Sequence, residues 1–195
     1  MILEIITLGD PVLRRKCPPV EIIDGSVAQL AAAMIETMHA ADGIGLAAPQ
    51  VGVSLQVAVV DVPPMEGEAG LFCLDGVDKD PAAFMPLVMV NPILEMGTEK
   101  ESQSEGCLSI PEVRGNVLRP FAVIARYTAL DGSRHLLECD GLLARAIQHE
   151  VDHLNGILFI DRMSAAAKLR IRRALRDLAR EPARYRYTPG PAQGG

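Results

Sequence analysis

His149-Glu150-Val151-Asp152-His153 stands inside the apolar run from Leu142 to Leu154. On an α-helix, residues four apart lie one above the other, so both imidazoles project from one face and can grip a single metal ion. Glu150 falls between them on nearly the same side, placed to reach a water held by the ion rather than the ion itself. That arrangement suits a metal hydrolase with a carboxylate general base. His and Glu meet at this spacing in many helices, so the meaning of the stretch turns on a third ligand.

The common zinc peptidases take that ligand downstream of the helix. Here no His follows His153, and the later acids Asp161, Asp177 and Glu181 sit at a segment start or in an Arg-rich stretch of solvated character. Upstream, Cys107 stands in Glu105-Gly106-Cys107-Leu108-Ser109. A thiolate with two imidazoles leaves a tetrahedral ion one open position, which is the catalytic arrangement; a structural site would want four protein ligands. Two other readings of Cys107 are a buried packing thiol and a cysteine nucleophile. The nucleophile leaves one His and Glu150 without a role.

With these residues assembled, the chain resembles the peptide deformylases. Gly43-Ile44-Gly45-Leu46-Ala47-Ala48-Pro49-Gln50 looks like their first signature motif, Glu105–Ser109 like the second and His149–His153 like the third. The resemblance runs from roughly Ile5 to Arg180. It implies metal ligation by Cys107, His149 and His153, with Glu150 as general base. It also implies that the Gln50 amide and the Leu108 backbone N–H donate to the oxyanion that forms as an amide carbonyl is attacked. Gly43, Ile44, Gly45, Gly106 and Ala146 would line the substrate, Gly45 bonding its main chain as a neighbouring strand does.

The implied substrate is the N-formylmethionyl end of a nascent polypeptide, and the reaction is hydrolysis releasing formate. A formyl group is the smallest acyl, so a tight site can exclude acetyl by size. The ligand set by itself suits zinc. The resemblance implies ferrous iron in the cell, with nickel or cobalt as active substitutes and zinc a poorer one. An iron–thiolate site open to oxygen is labile through oxidation of Cys107. Two alternatives compete: a zinc peptidase cutting internal bonds, and a non-catalytic relative that binds formylated peptides. The missing downstream ligand disfavours the first. The presence of all three ligands, the base and Gln50 disfavours the second.

Bulk properties agree with a soluble enzyme. A chain of 195 residues with 49% hydrophobic content can bury a core as one domain. A net charge of −6 argues against nucleic acid as a general partner. No apolar run approaches the ~20 residues of a membrane span, and Met1-Ile2-Leu3-Glu4 lacks a basic signal-peptide start. Cys17, Cys73, Cys107 and Cys139 are scattered, which favours free thiols in a reducing cytoplasm. The protein is expected to act as a monomer.

Local signals give an α+β order. Asp10-Pro11 and Pro18-Pro19 mark an irregular N-terminal arm. Ser26 with Gln29 reads as a capping box opening a helix that stops near Asp42-Gly43. Leu55–Val62 and Leu87–Val90 read as strands, and the Pro- and Gly-rich segment 63–86 between them as a surface loop. Phe121–Ala129 and Arg134–Cys139 flank Asp131-Gly132, a hairpin signal. Asp140 is the expected cap of the metal helix and Gly156 its expected stop. That helix is expected to be central, wrapped by mostly antiparallel strands.

Ser164 begins a last helix bearing Lys168, Arg170, Arg172, Arg173, Arg176 and Arg180. It is either a solvated charged face or a ribosome-docking surface. The catalytic domain is expected over residues 1–180, and the Pro/Gly-rich tail 181–195 is expected to be disordered.

Overall fold

The computed structural model describes residues 1–63 and 70–185. The elements in chain order are β1 (Ile5–Ile6), α1 (Gly25–Ala40), β2 (Gly45–Ala47), β3 (Val57–Val60), β4 (Phe72–Leu74) and β5 (Val77–Asp78). They continue with β6 (Leu87–Met96), β7 (Lys100–Cys107), β8 (Ile110–Pro120), β9 (Ala122–Thr128) and β10 (Arg134–Asp140). The chain then runs through α2 (Gly141–Leu154), α3 (Phe159–Arg162), α4 (Ala165–Arg180) and β11 (Arg184–Tyr185). A seven-stranded antiparallel sheet has the order β2-β3-β6-β9-β10-β4-β5, while β7 pairs with β8 and β1 with β11 as separate ribbons. The expected α+β architecture is present, with the metal helix α2 at its centre.

β3 explains how the layers form. Its four residues, Val57 to Val60, are all buried, because both faces of the sheet are covered. Ala58 and Val60 join Ala144, Ala146 and Ile147 of α2 in one cluster. Val57 and Val59 join Val27, Met34 and Met38 of α1 in another. A third cluster packs Leu8 and Leu13 of the N-terminal arm against Ile110, Val113 and Val117 of β8 and Phe159 of α3, with Leu175 and Leu178 of α4 at its edge. With no Trp in the chain, these cores are built mostly from aliphatic and Met side chains, with Phe72, Tyr127 and Phe159 as their buried aromatics.

Several local expectations are corrected. The cap of α1 is Asp24, not a Ser26–Gln29 box: Asp24 Oδ1 accepts from the N–H groups of Ser26 at 2.9 Å and Val27 at 3.3 Å. Ser26 donates its own hydroxyl to the same oxygen, so the earlier of two good capping residues wins. Asp140 does stand at the start of α2, but its carboxylate accepts from Leu71 N–H at 3.0 Å instead of capping the helix. Segment 63–86 is no plain loop. β4 extends the sheet along β10 and β5 follows it, while residues 64–69 lie outside the described part. The tail read from 181 onward begins with β11, which pairs Tyr185 with Ile5 and Arg184 with Ile6; residues 186–195 lie outside the described part.

Candidate metal centre and cleft

α2 ends where its sequence directs. Asn155 follows the last helical residue, and Gly156 adopts φ +73°, the left-handed conformation that favours glycine. A Cβ there would also meet the Arg14 carbonyl oxygen at 2.6 Å, so the stop and the seating of the N-terminal arm share one residue. Upstream, Gln148 donates to the carbonyls of Pro120 at 2.9 Å and Ala144 at 3.0 Å. The helix is therefore pinned laterally on the turn before its metal face.

That face meets the tip of the β7–β8 ribbon. The ligand atoms of Cys107, His149 and His153 all lie within 4.8 Å of one another, and Cys107 Sγ is 3.2 Å from His153 Nε2. His149 turns its Nδ1 to Glu105 Oε2 at 3.0 Å, which fixes the ring and leaves Nε2 toward the cluster. Burial opposes charge on His149, but its hydrogen bonds to Cys107 and Glu105 prevail and lift its pKa to about 10. His153, buried and beside His149, is pushed the other way. One soft and two imidazole donors thus converge in a pocket that favours a positive guest. These residues fit a single divalent metal ion, with His153 Nδ1 the one ligand-ring atom buried without a hydrogen-bond partner among the described residues.

Glu150 is 4% exposed and faces the backbone of Gly45, where a Cβ would sit 2.4 Å from its Oε1. Gly45 is therefore required by the close approach of the carboxylate, independently of any substrate contact. Glu150 Oε2 has no hydrogen-bond partner among the described residues. Burial raises its pKa to about 7. A buried carboxylate with an unsatisfied oxygen, bordering a cleft, is a site of proton traffic more readily than a packing residue.

Gln50 sits in a short turn after β2, with its Oε1 accepting from Ala47 N–H at 2.8 Å. This bond sets the amide so that Nε2 faces Cys107 Sγ at 3.5 Å and Ser109 Oγ at 3.2 Å. α1 delivers the first motif: its last turn closes with Gly43 N–H donating to Met38 carbonyl at 2.9 Å, and the chain turns into β2 at Asp42, φ +51°. Gly43, Ile44, Gly45, Gln50, Gly106, Cys107, Leu108, Ala146, His149 and Glu150 all border one cleft of about 710 Å³. His153 stands behind it, 1% exposed. Every residue expected at the site is brought together.

The residues that support them carry little signal in the sequence. Glu105 accepts from Arg119 Nε at 2.7 Å and Nη2 at 2.9 Å, and from Arg145 Nη1 at 2.7 Å, while bonding His149. Arg119 continues to Asp152 at 2.8 Å, and Arg162 of α3 donates to the same carboxylate at 2.6 Å. Arg145 also donates to the carbonyls of Val117 at 3.1 Å and Glu101 at 2.8 Å. It therefore bolts the Cys-bearing ribbon to the His-bearing helix. Burial works against ionised Glu105, yet His149 and Arg119 hold its pKa down to about 2. In the sequence, Arg145 and Asp152 hint at this network only as polar residues within the apolar run of the helix. Tyr185, another cleft residue, had no signal at all.

Comparison with known proteins gives one answer. A family model described as polypeptide deformylase matches residues 2–169. The peptide deformylase of Opitutus terrae is 45% identical over 184 residues, spanning 92% of this chain and 94% of that protein. The crystal structure of a peptide deformylase from Synechococcus elongatus in complex with actinonin superposes with a TM-score of 0.74 at 41% identity, covering 90% of this chain and 85% of that one. Peptide deformylase from Ehrlichia chaffeensis gives 0.77 at 33% identity, covering 92% and 96%.

Proposed function

The chain belongs to the polypeptide deformylase family, and from that premise we infer that it is a peptide deformylase. It is a metal-dependent hydrolase that removes the N-formyl group from the N-terminal formylmethionine of polypeptides and releases formate. The observation that carries this reading is the convergence of Cys107, His149 and His153 beside a cleft bordered by a buried Glu150 whose Oε2 has no hydrogen-bond partner among the described residues.

We assign the roles as follows. Cys107, His149 and His153 hold one divalent ion, which supplies Lewis acidity toward water and the formyl oxygen. Glu150 takes a proton from the attacking water as its oxygen bonds to the formyl carbon. As the C–N bond breaks, the same carboxylate returns the proton to the departing amine. Gln50 Nε2, preset by Ala47, and the Leu108 N–H donate to the carbonyl oxygen as it gains charge. Gly43, Ile44, Gly45, Gly106 and Ala146 line the bound chain, and an extended main chain can add to β2 at Gly45. We take the catalytic unit to run through Tyr185, past the boundary expected at Arg180, because β11 closes on β1.

Ferrous iron is the ion we propose for the cell, on the family resemblance, since the ligand set by itself suits zinc; Cys107, only partly buried, would then be open to oxidation. A cytoplasmic location is likewise our reading, supported by four free thiols; among the described residues no helix is long and apolar enough to cross a membrane. The deciding experiment is formate release from a formyl-Met tripeptide, with an acetyl-Met tripeptide as control. Protein prepared without oxygen and loaded with Fe²⁺ is expected to act on the formyl peptide alone and to lose activity in air. Silence of the metal-loaded protein on the formyl peptide would refute the assignment, and oxygen-stable activity would point to zinc.

The basic face of α4 supports a second, subordinate reading as a ribosome contact. None of its residues is fully buried, and Leu169 is 68% exposed among Lys168, Arg170, Arg172 and Arg173. Co-sedimentation with ribosomes is expected to weaken about tenfold or more between 50 and 200 mM salt. Salt-independent or absent binding would leave α4 a solvated face.

A further inference from the structure

Leu108 and Ser109 form the turn of the β7–β8 ribbon, since Cys107 pairs with Ile110 across it. A ladder shift falls immediately before them, between Gly106 and Cys107. Their peptide groups are therefore not held by strand pairing, although buried backbone groups need partners. The two carbonyls and the Ser109 side chain find partners in three distant parts of the chain. Leu8 N–H, following β1, donates to the Ser109 carbonyl at 2.8 Å. Gln50 Nε2 donates to the Ser109 hydroxyl at 3.2 Å. The Tyr185 hydroxyl donates to the Leu108 carbonyl at 2.7 Å.

Tyr185 reaches this position by a short, well-tied segment. Thr7 and Ala183 exchange bonds: Thr7 N–H and Oγ1 each donate to the Ala183 carbonyl at 3.0 Å, and Ala183 N–H donates back to Thr7 Oγ1 at 2.7 Å. Arg184 lies 3.6 Å from the Asp10 carboxylate. The same Tyr185 side chain borders the cleft together with Cys107 and Leu108. It lies beyond residues 2–169, the part of the chain matched by the family model.

We propose that Tyr185 is a positioning residue of the reaction: its hydroxyl, by fixing the Leu108 carbonyl, holds the turn in the conformation that aims the Leu108 N–H at the substrate oxygen, while its ring closes that side of the cleft. The proposal rests on the deformylase reading. Donors to a developing oxyanion act only when their direction is set in advance, and a turn freed of its hydrogen bond spends time misaimed.

Tyr185→Phe keeps the ring and removes the hydroxyl. It is expected to lower kcat about tenfold on a formyl-Met tripeptide, leave KM within twofold and leave the melting temperature nearly unchanged. In ¹⁵N-labelled, zinc-loaded protein the Leu108 amide is expected to exchange with solvent faster than in the parent. Tyr185→Ala removes the wall as well and is expected to raise KM in addition. A Tyr185→Phe enzyme with kcat within twofold of the parent, or with unchanged Leu108 exchange, would overturn the proposal. If the parent protein releases no formate, the deformylase reading itself fails and the catalytic role of Tyr185 with it.

Discussion

Replacing Glu150 by alanine is expected to leave one metal ion per chain and to lower kcat on a formyl-Met peptide about a thousandfold or more, the range of a lost general acid–base. The expectation follows from placement. Glu150 is one residue from a ligand yet is not grouped with the three donors; it borders the cleft, and its buried Oε2 has no hydrogen-bond partner among the described residues. The variant is also expected to melt no lower than the parent, since it removes a carboxylate whose burial raises its pKa rather than one held by an ion pair. Metal analysis, formate release and calorimetry on the same preparation check all three statements. A metal-loaded variant with near-normal turnover would remove Glu150 from the mechanism. Loss of the ion would instead place it among the ligands.

Glu105→Ala is expected to injure both stability and metal affinity. In the parent, one carboxylate faces Arg119, Arg145 and His149 with almost no exposure to water. Its removal leaves Arg145 with carbonyl partners only and Arg119 with Asp152 alone. Breaking a buried ion pair from one side costs about 3–5 kcal/mol, which for a chain of this size lowers the melting temperature by about 10 °C. Freed of its partner, His149 can also turn, and metal affinity is expected to fall about 10–100-fold.

The same group predicts an acid limit. Its folded pKa of about 2 lies below the ordinary value of 4.5, so its contribution is fully present above about pH 4.5 and is lost as the pH falls through about 2. Glu105→Ala should flatten that part of the acid-unfolding curve. A melting point within about 2 °C of the parent, with unchanged metal affinity, would mean that the two arginines are adequately solvated without Glu105.

How far the sequence speaks can be judged from these same residues. The helix carrying His149 and His153 was legible because a period of 3.6, a stop at Gly156 and metal chemistry agree on one segment. The β9–β10 hairpin was legible from Asp131-Gly132. β7 was not, since Lys100-Glu101-Ser102-Gln103-Ser104 presents a mostly exposed ribbon with no apolar alternation. β4 and β5 were hidden by the Pro- and Gly-rich company they keep. Glu105 was legible only as a motif neighbour of Cys107, and Arg119 not at all, because the partners that bury them lie 14 to 44 residues away. Tyr185 was lost inside an apparent tail for the same reason: what holds it is at the other end of the chain.

That closure has a consequence for how the protein is made. Thr7 and Ala183 are 176 residues apart, so at about 5–20 residues per second the first strand is synthesised roughly 10–35 s before the strand it pairs with. During that interval Ile5 and Ile6, almost wholly covered in the finished fold, have no β11 to pair with. The Leu108–Ser109 turn likewise lacks its Tyr185 hold. An enzyme that acts on the beginnings of other chains can therefore complete its own cleft only after Tyr185 has been synthesised.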